Sequence, residues 1–400
     1  MDPSGCAPDK RTYGEFMQRV LVDHYGGPEV LRLVEEKDPQ PGPGEVRVRV
    51  LAAGVSFTDS QLRAGTYLPG SPKPPFTPGY ELVGVVEELG PGCSRLRVGD
   101  RIGALTIWGA DADRVCVPES GAVDVPEDLD PGEVLSLLFP YMTAYQVLHR
   151  TAGVKSGETV LVHGAAGRVG VAALELGAAA GARLFGTASA RDNAKVVALG
   201  AVAIDYRDED FLARVREDAG GVDIVVDSLG GPISLRSFRA LRPGGRLVVF
   251  GRYSTIKDGR KDWAAVLAWY ASIAVVWAWD KLSPHRRVFA YQVQKFRDKS
   301  TRRGGAVGGE PKDPEQFRED FGVLVEMLRE GRIHPVVAER LPLAEAPHAH
   351  ELLESAASRI APNTLGESKR GQQYQSMVPS VPTRATVWRS PISPCSAIGR

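Results

Sequence analysis

Three glycines at a spacing of three residues form the part of this chain best suited to hold a ligand. Gly164, Gly167 and Gly170 follow an apolar run of strand length, and an alanine-rich stretch of helical character comes next, residues 171–181. A strand that turns through glycines into a helix places free backbone N–H groups at the positive end of the helix dipole, which suits a pyrophosphate. The glycines permit the turn, the approach of phosphate oxygens and close helix–sheet packing. The candidate phosphate-binding residues are Gly164, Ala166, Gly167, Arg168, Val169 and Gly170.

The end of the next predicted strand, residues 182–188, indicates which nucleotide is bound. A ribose 2′-hydroxyl is usually held there by Asp or Glu, whereas this strand ends at Ala188 and is followed by Ser189, Arg191 and Lys195. A hydroxyl and two cations attract a 2′-phosphate that a carboxylate would repel. This pattern favours NADPH over NADH. The alternative is that Arg191 and Lys195 are solvated charges on a helix face.

The elements that position these residues continue the same alternation. Residues 222–227 and 246–250 read as buried strands, each closed by glycines, and helical stretches lie between them. Strands alternating with helices predict a doubly wound parallel sheet of the Rossmann type with its ligand at the carboxyl ends of the strands. A class I methyltransferase shares this architecture, but it would usually have an acidic residue after the second strand, where this chain has none.

Length and composition narrow the class of protein further. The chain has 400 residues, which suits two packed domains, and equal numbers of basic and acidic residues, 49 each. Such a balance does not favour nucleic acid as a partner. Four scattered cysteines and a first segment with neither a basic start nor an apolar core fit a cytoplasmic protein without a signal peptide.

The segment from Arg19 to about Val117 has short strand-like runs separated by Gly and Pro turns, which predicts a β-rich domain ahead of the nucleotide-binding one. From about Arg19 to Ser355 the chain resembles the medium-chain dehydrogenase/reductases. The segments that carry the resemblance are residues 26–31, 41–46, 52–59, 75–81, 98–101 and the glycine-rich turn. The resemblance implies a GroES-like domain followed by a Rossmann domain, with the active site between them.

Zinc-dependent members of that family carry Cys-His and Gly-His-Glu, where this chain has Ser56-Phe57 and Gly79-Tyr80-Glu81. Without thiolate or imidazole at those positions we expect no metal. His348 and His350 are interpreted as surface residues of a helix. The zinc-independent quinone oxidoreductase branch is the most similar, and the aromatic segment after Gly251 resembles the vesicle amine transport protein 1 subgroup.

This resemblance implies an enzyme that transfers hydride from NADPH to a quinone or an α,β-unsaturated carbonyl, and often a homodimer. It places Thr143 near the nicotinamide and Tyr206 beside the adenosine phosphate, with Gly230, Phe250 and Gly251 around the cofactor. Tyr67 is the candidate substrate-facing hydroxyl, although tyrosines commonly just pack with their hydroxyl satisfied. Ser56 stands where many relatives have Asn, and it is the other candidate catalytic residue beside Thr143 and Tyr67. Two alternative functions remain open: a nucleotide-binding protein with little turnover, and a membrane- or lipid-associated transfer protein that uses Trp263–Trp279.

The segment from Trp263 to Trp279 is almost wholly apolar, with charged residues on both sides. It is slightly shorter than the roughly 18–20 residues of a spanning helix, and its terminal tryptophans are typical of an interfacial belt. We expect a buried helix, or one covering a substrate cleft or a subunit interface, and membrane contact through Trp263–Trp279 is the alternative.

The predicted organisation is an N-terminal extension (1–18), a GroES-like domain (19–143 with 288–357) and a Rossmann domain (144–287). The last segment, 358–400, is rich in Ser, Pro, Gln and Arg and is expected to be a disordered tail. It stands where relatives have a strand that completes the sheet of the first domain. A frameshifted terminus and a native tail both remain open.

Overall fold

The fold described here is that of a computed structural model covering residues 16–67, 70–257, 260–283, 285–296, 307–358 and 385–388. Of the predicted N-terminal extension, residues 1–15 lie outside this range.

The first domain is built on antiparallel strands with alternating burial. In the longest of them, Val46, Val48 and Val50 point into the core, while Arg47 and Arg49 form ion pairs with glutamates of the neighbouring strand. This strand pairs with β4 and β6, β5 joins β4 to β7, and β1 with β2 forms a separate hairpin. The elements are β1 (Phe16–Val22), β2 (Leu31–Lys37), β3 (Glu45–Val55), α1 (Phe57–Arg63), β4 (Glu81–Leu89), β5 (Arg101–Leu105), β6 (Arg114–Pro118) and β7 (Ala122–Asp124).

A continuous helical segment, residues 131–151, connects the two domains. Its α-helical parts are α2 (Pro131–Ser136) and α3 (Met142–Tyr145), and each is followed by wider π-helical turns, Leu137–Tyr141 and Gln146–Thr151. Pro140 lies in the first wide turn, where its missing N–H interrupts the α-helical hydrogen bonding. Helix α3 packs against the first helix of the second domain, and this contact places Thr143 beside that domain.

The second domain has the predicted Rossmann architecture. The six described strands of its main sheet are all parallel and lie in the order β10-β9-β8-β11-β12-β15, so the direction of winding reverses between β8 and β11. Strands β13 and β14 form a separate antiparallel pair. The elements are β8 (Thr159–His163), α4 (Arg168–Ala179), β9 (Arg183–Ala188), α5 (Asn193–Ala198), β10 (Ala201–Asp205), α6 (Phe211–Ala219), β11 (Val222–Asp227), α7 (Pro232–Ala240), β12 (Leu241–Val249), β13 (Ile256–Lys257), β14 (Arg260–Lys261), α8 (Trp263–Leu282) and β15 (Arg287–Ala290). The predicted fold class is confirmed.

Helix α8 contains the apolar segment that was expected either to be buried or to cover a cleft or a subunit interface, and the expectation of burial is wrong. Only Ser272 and Val276 of this helix are buried, and 11% of its most apolar window lies inside the protein. By length and composition α8 is apolar enough to cross a membrane, with a mean hydropathy of 1.2. The sequence pattern failed here because the helix is apolar on all sides, so no polar face indicated which side meets solvent.

After β15 the chain returns to the first domain through β16 (Gln294–Phe296), β17 (Gly309–Pro311), α9 (Pro314–Arg329), β18 (Val337–Leu341), α10 (Ala346–Ser358) and β19 (Ala385–Trp388). Strand β19 lies between β18 and β3, parallel to the former and antiparallel to the latter. It belongs to the segment 358–400 that was expected to be disordered, and for residues 385–388 that expectation is wrong. The composition of segment 358–400 did not indicate this strand, because its four residues are flanked by mostly polar ones. Residues 359–384 and 389–400 lie outside the described residues.

Candidate active site

The turn between β8 and α4 forms the phosphate-binding end of the site. Gly164 adopts a φ of +67°, and a Cβ on Gly170 would lie 2.2 Å from the Gly164 carbonyl oxygen, so both positions require glycine. Gly167 is the N-cap of α4, and no side chain caps this helix. The N–H groups of its first turn, at Arg168, Val169 and Gly170, are therefore left for an anion.

Asp227, at the end of β11, holds the neighbouring turn in shape. One carboxylate oxygen accepts hydrogen bonds from the N–H groups of Leu229 and Gly230, each at 2.9 Å, and the other accepts one from Ser234 Oγ at 2.5 Å. Sequence reasoning gave Asp227 no role, although an aspartate at a strand end before a Gly-Gly pair is a signal for such a turn.

The turn after β11 also contacts the carboxyl ends of the two neighbouring strands, β8 and β12. Ser228 Oγ donates to the His163 carbonyl at the end of β8, 3.1 Å away. A Cβ on Gly251, just after β12 and Phe250, would lie 1.9 Å from the Ser228 carbonyl oxygen. The predicted residues Gly164, Gly230, Phe250 and Gly251 thus meet at one edge of the sheet, where the fold is expected to bind its ligand.

The residues predicted to bind the 2′-phosphate lie close together at the ends of β9 and β10. An acidic residue, Asp192, lies among them. Ser189 Oγ donates to Asp192 Oδ2 at 2.6 Å, and Arg191 Nε donates to the same oxygen at 3.3 Å. Lys195 Nζ donates to the Ala166 carbonyl of the glycine turn at 3.1 Å. The backbone N–H of Tyr206 donates to the Ala188 carbonyl at 3.2 Å. Asp192, which sequence reasoning left out, places a carboxylate within the predicted cationic group.

Arg168 connects the glycine turn to the first domain. Its backbone begins α4, while its guanidinium lies 3.3 Å from Glu81 Oε1 on β4 and donates to the Val55 carbonyl at the end of β3, 3.4 Å away. Glu81 is fully buried, and its second oxygen has no hydrogen-bond partner within the described part of the chain. Sequence reasoning assigned Arg168 to the phosphate turn by its backbone and did not foresee this contact.

Ser56 and Asp59 form the first turn of α1, immediately after Val55. The Ser56 N–H and Oγ both donate to Asp59 Oδ2 at 2.7 Å, and the Gly79 N–H donates to Asp59 Oδ1 at 3.0 Å. This is a capping box, and its Ser-x-x-Asp spacing is a signal that would have identified Asp59 from the sequence. The hydroxyl proton of Ser56 is therefore directed at Asp59, and the lone pair of Oγ that the capping box leaves unused can accept a further hydrogen bond.

The two carboxyl groups at this boundary have raised pKa values. Burial raises the pKa of Glu81 to about 7, and the nearby Arg168 opposes the rise. Burial also raises the pKa of Asp59 to about 6, against the hydrogen bonds that it accepts from Ser56 and Gly79. Arg168, whose backbone begins α4 at the glycine turn, lowers the pKa of both carboxyls and so opposes the effect of burial on each.

Thr143, on α3, carries a hydroxyl suited to a ligand. The residue is buried, and its Oγ1 has no hydrogen-bond partner among the residues that the structure covers. A buried hydroxyl normally finds a partner, since leaving it unpaired costs about 1–3 kcal/mol. Its unpaired state fits the predicted place beside a cofactor.

The Tyr67 hydroxyl already has protein partners. Gln294 Nε2 donates to it at 3.3 Å, a hydrogen bond connects it to Tyr80, and burial raises the pKa of the Tyr67 phenol. Phe57, at the start of α1, stacks on Tyr253, which follows β12, with ring centroids 4.9 Å apart. Residues from both domains therefore line the region between Ser56 and Gly251. The sequence offers no signal for the Phe57–Tyr253 contact, because it depends on how the domains pack.

His348 and His350 were both expected at the surface, and for His350 this is wrong. His350 is fully buried, and its Nδ1 lies 3.1 Å from Nη1 of the buried Arg63 on α1. Burial and the adjacent guanidinium lower the pKa of His350 to about 3, so it is neutral. His348 is half exposed. Among the described residues, no group of three or more His, Cys, Asp or Glu side chains is placed to hold a metal ion.

The β-rich first domain and the Rossmann domain with its glycine turn define the class of medium-chain dehydrogenase/reductases. The family described as alcohol dehydrogenase GroES-like domain matches residues 42–127, and the family described as zinc-binding dehydrogenase matches residues 199–359.

Individual relatives narrow the class. The quinone oxidoreductase of Homo sapiens is 31% identical over 345 residues, which cover 84% of this chain and 94% of the relative. A synaptic vesicle membrane protein VAT-1 homolog of Rattus norvegicus is 34% identical over 68% of this chain and 69% of its own length. The structure of Escherichia coli quinone oxidoreductase complexed with NADPH superimposes with a TM-score of 0.70 at 26% identity, over 93% of this chain and all of that chain. The chain belongs to the quinone oxidoreductase branch of the medium-chain dehydrogenase/reductases and is an oxidoreductase with a nicotinamide cofactor site.

Proposed function

We propose that this protein is a zinc-independent, NADPH-dependent reductase that transfers hydride to a quinone or an α,β-unsaturated carbonyl. The observation that carries the proposal is the contact of Arg168 with Val55 and Glu81. It brings the anion-binding start of α4 directly against the end of β3, where Ser56 begins α1. A dinucleotide anchored at α4 therefore extends toward Ser56 and Thr143.

The residues present fit NADPH. The uncapped start of α4 would hold the pyrophosphate, and Ser189, Arg191, Lys195 and Tyr206 would surround the 2′-phosphate. The unpaired Thr143 hydroxyl would take a polar group at the nicotinamide end. When bound, the dihydronicotinamide supplies the hydride, and the protein supplies binding and orientation.

The chain's own residues would act mainly by positioning. Holding two reactants in the productive geometry lowers a barrier by roughly 7–11 kcal/mol in ideal intramolecular cases. This suffices for acceptors as electron-poor as quinones and enones without a metal. Ser56 offers an acceptor oxygen because its proton is directed at Asp59. The proton that completes the reduction comes from water or from Tyr67, whose hydroxyl is also bonded to Tyr80.

Two further parts of the proposal concern assembly and location. Strand β15 has no neighbour on its outer side among the described strands, and an open sheet edge favours pairing with a second copy, which supports a homodimer. Among the described residues, Cys93 and Cys116 are not joined in a disulfide, which fits the reducing cytoplasm.

The test is NADPH oxidation against a panel of quinones and enones, with NADH in parallel and a chelator present. We expect turnover that prefers NADPH and survives chelation. Tyr67→Phe should reduce kcat, whereas Thr143→Val should mainly weaken NADPH binding. Loss of turnover on chelation would contradict zinc independence. Tight NADPH binding without oxidation across the panel would favour the alternative, a nucleotide-binding protein with little turnover.

A further inference from the structure

The outward side of α8 is a continuous apolar surface. Its exposed residues recur every three or four positions, so they share one side of the helix. The exposed fractions are large for such side chains: 70% for Trp263, 70% for Leu267, 57% for Tyr270 and 53% for Trp277. Together with Ala274 these residues form what we call the α8 apolar face. A monomeric protein rarely leaves so many neighbouring aromatic and aliphatic side chains in water, and such a patch marks an interaction site.

The opposite side of α8 packs against the rest of the Rossmann domain. Rotating the helix to bury the α8 apolar face would therefore break these contacts. Trp269 lies directly against the turn of Gly230 and Gly231, since a Cβ on Gly230 would lie only 2.2 Å from its indole Nε1. Trp279 packs on Phe238 of α7, with ring centroids 5.6 Å apart, and Val276 is fully buried. The α8 apolar face therefore needs an external partner.

The charges around α8 indicate which partner. No charged residue occurs between Trp263 and Trp279, while Arg260 and Lys261 precede the helix and Lys281, Arg286 and Arg287 follow it. Asp262 accepts a hydrogen bond from the Ala265 N–H, and Asp280 accepts one from the Val288 N–H. The third nearby acidic residue in the sequence, Asp258, is balanced by Lys257. Arg239 of α7 adds a cation 5.4 Å from the Trp279 ring. Both ends of α8 are thus net cationic, with an apolar surface between them.

This pattern disfavours two other occupants. If a second copy packed on the α8 apolar face, a cationic end of one helix would meet a cationic end of the other in either orientation. The chain's own C-terminal segment, residues 359–400, carries six Lys and Arg against one Glu, so it would also be repelled.

We propose that the α8 apolar face binds the surface of a bilayer containing anionic lipid, with the helix lying in the plane of the membrane. An interfacial helix buries an apolar side at the boundary between headgroups and acyl chains. Tryptophan and tyrosine prefer that depth, and neighbouring basic residues are attracted by anionic headgroups. The Trp residues at both ends of α8, Tyr270 between them and the cations beyond them match each requirement.

The experiment is flotation of the full-length protein with vesicles of phosphatidylcholine, with and without phosphatidylserine. We expect flotation with the anionic vesicles only, decreasing as salt rises. The double variant Leu267→Asp, Trp277→Asp should bind about tenfold more weakly or worse, because both side chains would enter the lipid boundary. Val98→Asp, at a 63% exposed apolar position of the first domain, should float like the wild type.

Two further variants test the contribution of the basic residues that follow α8 to membrane binding. Lys281→Gln and Arg287→Gln should each weaken binding about fivefold, the effect of one basic residue near an anionic surface. NADPH binding shows that each variant is folded, and flotation needs no turnover, so failure of the proposed reaction would not affect this result. Equal flotation of the wild type and the Leu267→Asp, Trp277→Asp variant would overturn the proposal. So would the absence of flotation together with a dimer, seen by light scattering, that this variant dissociates.

Discussion

Arg168 of the glycine turn and Glu81 of β4 form an ion pair between the two domains, with 3.3 Å between Nη2 and Oε1. Glu81 is buried completely and Arg168 is only 16% exposed. A charge pair in such a place is costly to desolvate, and removing one partner leaves the other charge unpaired in the interior. The nucleotide turn and the start of α1 are therefore coupled electrostatically.

Replacing Arg168 by Met should destabilise the protein in a pH-dependent way. The expected loss is about 2–3 kcal/mol near pH 8, less than for a fully enclosed pair because Arg168 is partly hydrated. Near pH 5 the loss should be smaller, since Glu81 is then protonated and needs no counterion. Urea unfolding at both pH values measures this, with Arg191→Met as the exposed control. An equal loss at both pH values would show that Arg168 acts by packing alone.

Replacing Glu81 by Gln should flatten the pH dependence of stability. Burial raises the pKa of Glu81 from 4.5 to about 7, so in this range the folded protein binds a proton that the unfolded chain releases. The stability tied to that proton is present below about pH 4.5 and is lost as the pH rises through 7. Between pH 6 and pH 8 the wild type should lose about 1 kcal/mol more than Glu81→Gln. Parallel pH profiles of the free energy of unfolding would contradict this.

Replacing Thr143 by Val should weaken NADPH binding without destabilising the free protein. Its hydroxyl is buried and unpaired, so removing it relieves a cost in the free protein and removes a hydrogen bond in the complex. We expect about a tenfold rise in the NADPH Kd by calorimetry, with an unchanged or higher Tm. Thr159→Val is the control, because Thr159 lies at the opposite end of β8 and should not affect Kd. A Tm that falls with an unchanged Kd would assign Thr143 to packing.

Replacing Asp192 by Asn should increase the preference for NADPH. Asp192 accepts hydrogen bonds from Ser189 and Arg191, so it neutralises part of the group expected to hold the 2′-phosphate. Its removal should lower the NADPH Kd several-fold and leave the NADH Kd unchanged. The exposed Asp208→Asn variant controls for the loss of one negative charge. If Asp192→Asn improves both Kd values equally, the 2′-phosphate does not lie there.

The sequence alone predicts the fold correctly wherever a local pattern of residues determines the structure. Strands alternating with helices predicted the parallel sheet, and the spacing of Gly164, Gly167 and Gly170 predicted the turn into α4. Contacts set by domain packing were not predictable, among them Arg168 with Glu81 and Phe57 with Tyr253, because no periodicity connects residues so far apart. The surface position expected of His350 and the burial expected of α8 were wrong for one reason: residue type alone does not reveal which side of a helix meets a neighbour.

The strand β19 gives a test of the C-terminal segment. It lies between β18 and β3, next to Gly54 and Val55 and so beside the start of α1. A chain ended at residue 384 loses these strand pairs and exposes two strand edges, which should cost about 2 kcal/mol and lower the Tm by several degrees. A chain ended at residue 388 keeps the strand and should melt like the full-length protein. Calorimetry of the two truncated chains measures the difference in Tm. Identical Tm values would show that residues 385–388 contribute no stability to this sheet.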